Sequence, residues 1–187
     1  MKGHEYIREA IRTYLEVAVP PRLAAHLAGN GLTSPDPAGV AFLLADGLQE
    51  ITDFPAVVVR STDSGDERQV TTDTWWFAYD IEVIVACDHR VHGDAEGASK
   101  DRDRLLLAVR ECIYRASGLT DDIDISPKGR PEATGAASET RAGVPLAAGT
   151  LKFRARVTET LTDLDPPEDI DAVDQSVTVF DATQPIP

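Results

Sequence analysis

The chain is poor in cysteine, with only Cys87 and Cys112 among its 187 residues. One lies on an expected strand and the other on an expected helix, so both read as buried thiols and not as a disulfide framework. Long apolar runs are also missing. No stretch approaches the roughly eighteen uninterrupted apolar residues of a membrane-crossing helix, so no membrane span is expected. Basic residues are scarce: Lys and Arg number 18 against 32 Asp and Glu, giving a net charge of -14. That balance argues against a general nucleic-acid binder, because phosphate neutralisation needs a basic surface. The opening Lys2, His4, Glu5 and Arg8 lack the basic-then-apolar order of a leader, so synthesis in the cytoplasm is expected. Catalytic signatures are absent as well. There is no Gly-x-Ser-x-Gly, phosphate loop, dinucleotide-binding glycine pattern or Cys/His pairing at a recognisable spacing. No internal repeat is evident.

What the chain does have is alternation. Trp75, Phe77, Tyr79, Ile81, Val83, Val85 and Cys87 share one parity, with Asp80 and Glu82 on the other. A period of two over this run predicts a β-strand with one apolar face. At roughly 3.3 Å per residue it would reach about 40 Å, far beyond the usual five or six residues. Strands of that length in a small protein often serve a neighbouring subunit. A second long strand is predicted over Gly149 to Leu161, where Leu151, Phe153, Ala155 and Val157 point one way and Lys152, Arg154 and Arg156 the other.

Helices and shorter strands fill the rest. The apolar spacing of Ile7, Ala10, Ile11, Tyr14 and Ala18 predicts a helix from Glu5 to about Ala18. Pro20 and Pro21 should interrupt it, with a second short helix running to Ala28 and stopped by Gly29. Gly31 to Gly39 reads as a loop, and Val40 to Leu48 fits either a helical turn or a short strand. Ala56 to Arg60 is a β-branched strand, and Ser61 to Asp73 reads as a long polar hairpin connection. Asp88 to Ser99 is a loop. From about Ala98 to Ser117 an amphipathic helix turns Ala98, Leu105, Leu106, Val109, Cys112, Ile113 and Ala116 to the core, with Asp101, Arg102, Asp103, Arg104, Arg110 and Glu111 outward and Gly118 as its stop. Ile123 to Ser126 is a short strand, and Lys128 to Ala148 reads as a mobile, weakly hydrophobic excursion. From Asp163 onward there are seven acids and no Lys or Arg, half of the net charge in the last 25 residues. Val177 to Phe180, within that tail, is short enough for one added strand. The order α-β-β-α-β-β predicts an α+β fold: a mixed, mainly antiparallel four-stranded sheet with helices packed on one face. Residues 1–162 form that domain and residues 163–187 an acidic C-terminal arm.

Three constellations merit weighing. Cys87, Asp88, His89, His92 and Asp94 have the residue types of a metal site, but no second cluster joins them, and a solvated polar loop is the simpler reading, so no metal is assigned. Asp80 and Glu82 lie two apart on one strand face, as paired carboxylates would in a hydrolase. The other long strand offers a plainer explanation, since Lys152, Arg154 and Arg156 could pair with them across adjacent strands. In a ring of identical subunits, the same basic row would repeat around a channel able to tolerate passing DNA. The acidic tail could bind metal or mimic nucleic acid, but it reads more simply as a flexible solubilising or subunit-clasping arm; a further reading makes the chain an adaptor that binds a basic host partner through it.

Taken together, these features resemble the tail terminator (tail completion) proteins of long-tailed bacteriophages, particularly those of actinobacterial hosts. The resemblance rests on the N-terminal helix, Phe54-Pro55-Ala56-Val57-Val58-Val59, the strand Trp75 to Cys87, the helix segment Asp101 to Glu111, and the strand Gly149 to Glu159. It covers roughly residues 4–161; the excursion at Lys128 to Ala148 and the acidic arm are less typical. It implies a structural virion protein with no enzymatic role, catalytic residue or cofactor. Such proteins form a homohexameric ring on the head-proximal end of the tail tube, stop its polymerisation and present a docking surface for the head connector. The implied partners are further copies of the chain, the major tail tube protein and the head-completion protein, with genomic DNA passing through the lumen without sequence-specific binding and no membrane. Lys152, Arg154, Arg156, Asp80 and Glu82 are then the candidate inter-subunit or lumen-facing charged surface. The rivals are another head–tail or tube component and, from a different class, a small metal-dependent hydrolase using His89, His92 and nearby acids.

Overall fold

A computed structural model of the chain describes residues 3–45, 51–71, 74–88, 95–116, 119–125, 132–141 and 144–160. The order is α1 (His4–Gly29), a single 3-10 turn (Pro37–Gly39), β1 (Ala41–Leu44), β2 (Ala56–Gln69), β3 (Thr74–Asp88), α2 (Ala95–Arg115), β4 (Ile123–Ile125), β5 (Glu132–Arg141) and β6 (Val144–Thr160). The fold is α+β, as the element pattern predicts. The sheet has six strands where the sequence predicts four, in the order β1-β2-β3-β6-β4, with β5 also paired to β6. Only β1 with β2 is parallel; every other pairing is antiparallel. No helix among the described residues is long and apolar enough to cross a membrane.

Each departure from the expected elements has a physical cause. Pro20 and Pro21 do not interrupt α1, which is continuous. A proline removes one backbone donor, but Ile7, Ile11, Leu15, Val19, Leu23 and Leu27 all bury on the same side through that region, and tertiary packing holds the helix. The helix stop is Gly31 and not Gly29: Gly31 takes φ 64, and the Leu32 amide closes onto the Leu27 carbonyl at 2.8 Å. Within the ambiguous segment Val40 to Leu48, Ala41–Leu44 form the strand β1, and residues 46–48 lie outside the described residues. The stretch expected as a polar connection is the outer half of β2, paired with β3 as far as Gln69 opposite Trp75. The expected excursion contains β5, whose register on β6 runs from Glu132 opposite Lys152 to Arg141 opposite Val144. Both segments are strands because backbone hydrogen bonds to a long partner need no apolar side chains. The helix stop expected at Gly118, the loop His89 to Asp94, and the arm with Val177 to Phe180 lie outside the described residues.

Both helices cover one face of the sheet. Val57 and Val59 of β2, Tyr79, Ile81, Val83 and Val85 of β3, and Leu151, Phe153, Ala155 and Val157 of β6 pack there with the buried stripe of α1 and with Leu105, Ala108, Val109, Cys112 and Ile113 of α2. The Tyr14 hydroxyl donates to the Cys112 carbonyl at 2.9 Å, and the Cys112 thiol reaches the Ala18 carbonyl at 3.4 Å, tying the two helices together. At Gly149, a Cβ would stand 3.1 Å from a Leu106 methyl carbon and 3.3 Å from Cδ of Arg102. Glycine there lets α2 lie close against β6. On the opposite face, Ala56, Val58 and Ile84 are covered by Ala45, Ile51 and Phe54, so one end of that face is apolar and closed.

α2 differs from its helical-wheel reading at two positions. Asp101 and Arg102 are buried, at 3% and 9% exposure. Asp101 lies one turn before Leu105 on the inward face. Its carboxylate accepts from the Ser34 hydroxyl at 2.5 Å and from Arg104 at 2.9 Å, which makes the burial tolerable. Arg102 lays its stem over Gly149 and turns its guanidinium to Asp103, at 2.7 Å and 2.9 Å.

Candidate functional site on the helix-free face of the sheet

The side chains of β3 and β6 that turn away from the helices stand in cross-strand rows. Register places Glu82 opposite both Arg60 and Lys152, Asp80 opposite Arg154, and Arg156 opposite both Ala78 and Asp124. Residues directly opposite in a sheet have Cβ atoms about 5 Å apart, close enough for these charges to meet. They do meet. Arg154 Nε donates to Asp80 at 2.9 Å. Arg60 donates to Glu82 Oε2 on one side, and Lys152 Nζ lies 3.5 Å from its Oε1 on the other. Arg156 places its guanidinium carbon 4.4 Å from the centroid of the Trp76 ring, one diagonal step away.

The rows differ in exposure. Glu82 is 6% exposed at the side chain because Arg60 and Lys152 lie over it, whereas Asp80 and Arg154 remain 44% and 47% exposed. Lys152 is 57% exposed. Glu82 is therefore a buried acid clamped by two cations, and Asp80–Arg154 is an open surface pair. Neither carboxylate has the arrangement of a general acid–base pair, because each is already engaged by a cation across the strand.

All five residues expected to form this surface come together on one face. The sequence did not point to three further members: Arg60, Trp76 and Asp124. Arg60 could have been found only by knowing that β2 and β3 pair residue 60 with residue 82. Trp76 was hidden by its parity, since the other aromatic residues of that run, Trp75, Phe77 and Tyr79, belong to the covered face.

The residue types that resemble a metal site do not converge among the described residues. Cys87 and Asp88 are buried at the far end of β3, by a cleft of about 210 Å³ that Ser34, Asp36, Phe54 and Asp101 also line. Burial, with the charge of Asp101 adding to it, pushes the Cys87 thiol up to about 12, so at neutral pH it is a thiol and not a thiolate. His4 stacks edge-on against Tyr79 and hydrogen-bonds Ser61 at 2.7 Å, and His26 contacts Glu111 at 3.1 Å. Both are remote from Cys87 in the fold. Among the described residues, no group of three or more His, Cys, Asp or Glu side chains is placed to hold a metal ion. Cys87 and Cys112 are both buried and free. Compared with known proteins, the chain matches no protein-family model and no curated protein sequence.

Proposed function

We propose that the protein is a structural component of a phage tail: a homohexameric ring that caps the head-proximal end of the tail tube, ends its polymerisation and forms the docking surface for the head connector. The observation that carries this reading is the helix-free face of the sheet. It extends along strands of 15 and 17 residues and carries rows of cross-strand ion pairs. A heterologous contact between identical subunits closes into a ring when its rotation closes. With this face turned inward, the lumen would present Arg60, Lys152, Arg154 and Arg156 interleaved with Asp80, Glu82 and Asp124.

That composition suits a passage for DNA. On this face cations and acids alternate, and further acids stand on it by register, such as Glu132 opposite Lys152. A strongly basic wall would hold phosphates through counterion release, and an acidic wall would repel them. A wall with charge of both signs interleaved does neither. The sequence resemblance to tail terminators, carried by α1, the long strands and α2, supports the same reading, with β1 and β5 standing outside the expected order. The tube protein and the head-completion protein are the partners it requires, and its role is assembly and not catalysis.

The test is mass and capping. Native mass spectrometry of the purified chain should give a closed oligomer of six copies, and adding it to polymerising tube protein should arrest tube growth with density at one end in electron micrographs. A strict monomer that leaves tube growth unchanged would overturn the proposal. Binding to a connector without arresting growth would assign the protein to another head–tail junction role.

A further inference from the structure

The charged face gives three of its four named cations a carboxylate. Arg60 and Lys152 share Glu82, and Arg154 holds Asp80. Lys152 also has Glu132 opposite it in register on its other side. Arg156 differs. Among the described residues it makes no ion pair and no hydrogen bond, and its contact is the Trp76 ring, 4.4 Å from the guanidinium carbon. An acid is within reach, since Asp124 is exposed and stands directly opposite Arg156 in register, where Cβ atoms are about 5 Å apart. The guanidinium lies over the indole all the same.

A stacked arginine is held in place without being used up. The π face of the ring attracts the positive charge but offers no lone pair to the N–H donors. The guanidinium therefore keeps its planar fork of donors for an oxygen acceptor from outside, and the ring fixes where that fork sits. Trp76 and Arg156 are both half-buried, so the pair is ordered yet reachable. Ordering in advance lowers the entropy cost of meeting a ligand. A fork of this kind matches the oxygens of a carboxylate or a phosphate.

The lumen reading, on which this inference rests, selects between those two ligands. With the charged face turned inward, what passes Arg156 is DNA, whose backbone presents a phosphate at every step. We infer that Arg156, seated on Trp76, is the point where this face touches DNA, donating to an oxygen of a backbone phosphate. Arg60, Lys152 and Arg154 offer less, because each is already engaged by an acid across its strand. Asp124 opposes the contact: its carboxylate repels the phosphate and competes for the guanidinium. One such contact per subunit releases little counterion, so DNA is touched and let go, not gripped. A ring would repeat the contact at every copy.

Fluorescence tests it on the full chain carrying Trp75→Phe, which leaves Trp76 as the single tryptophan. A short DNA duplex added at low salt should quench Trp76 saturably, and added salt should reverse it. Arg156→Gln in that background should weaken binding about tenfold or more and flatten the salt dependence, whereas Asp124→Asn should tighten it. Opposite signs separate a contact from a structural role, which both substitutions would disturb alike. Arg110→Gln, on the exposed side of α2, should change nothing. No quenching by duplex, or equal quenching in the Arg156→Gln protein, would overturn the inference. So would quenching by polyglutamate in preference to duplex, because that assigns the fork to a carboxylate of a protein partner. Native mass of the same samples reads the ring separately. A monomer quenched through Arg156 keeps the contact and removes the ring, and a hexamer left unquenched keeps the ring and removes the contact.

Discussion

The two faces of β3 and β6 are made by the same strands, residue by alternate residue, yet they obey different physics. Under the helices, Ile81, Val83, Leu151 and Phe153 are at most 6% exposed and held by apolar contact. On the other face, Asp80, Glu82, Lys152 and Arg154 meet as ion pairs, most of them in reach of water. The covered face carries the stability of the fold, because apolar burial contributes about 25 cal/mol per Å² whereas an exposed ion pair adds a few tenths of a kcal/mol. The open pairs of the charged face add less, and only the buried Glu82 weighs more.

The contrast can be broken most severely at the core. Ile81→Ala should cost about 2–5 kcal/mol in denaturant unfolding, from lost burial plus the cavity left between α1 and α2. A covered-face substitution costing under about 1 kcal/mol would mean the helices do not pack as described. Glu82 marks the boundary between the two regimes, being charged but buried. Glu82→Ala should cost about 1–3 kcal/mol, since Arg60 loses the acceptor that compensates its partial burial, and Glu82→Gln should recover part of that loss.

A smaller effect has a pH signature. The hydrogen bond from Arg22, with His26 adding to it, holds the Glu111 carboxyl below the usual carboxylate range. A carboxylate with a depressed folded pKa adds stability above its unfolded pKa of about 4.3 and loses it as the pH falls through the folded value. Comparing wild type with Glu111→Gln should show a stability gap at pH 7 that closes below about pH 4; a gap independent of pH would remove the ion-pair explanation. The smallest effect belongs to Asp80 and Arg154. A double-mutant cycle on this exposed pair should give about 0.2–1 kcal/mol, falling as salt is raised. A coupling several times larger would mean that the pair is desolvated in solution by a neighbouring subunit.

Much of the fold was legible from periodicity. The parity of Trp75 to Cys87 placed Tyr79, Ile81, Val83 and Val85 in the core, and the opposite parity placed Asp80 and Glu82 with Lys152 and Arg154. Where the reading missed, the deciding interactions lay in the backbone or far along the chain. β5 and the outer half of β2 are polar, and their strand character comes from hydrogen bonds to β6 and β3 that leave no trace in side-chain pattern. Asp101 looked like a solvated helix residue until Ser34, remote in sequence, supplied a hydrogen bond. α1 passed through two prolines because six residues buried along its length outweighed the missing donors.

By itself, the sequence determined which segments alternate, which side chains share a face, and that charge of both signs would stand on one side of the long strands. Alternation is local, fixed by the geometry of an extended backbone. Tertiary structure alone decided which strands lie side by side, and so that Asp80 meets Arg154 while Glu82 is clamped between Arg60 and Lys152. Register is a long-range choice: shifting the pairing by one residue would turn every charge to the covered face, and only the packing of both helices on the other parity forbids it.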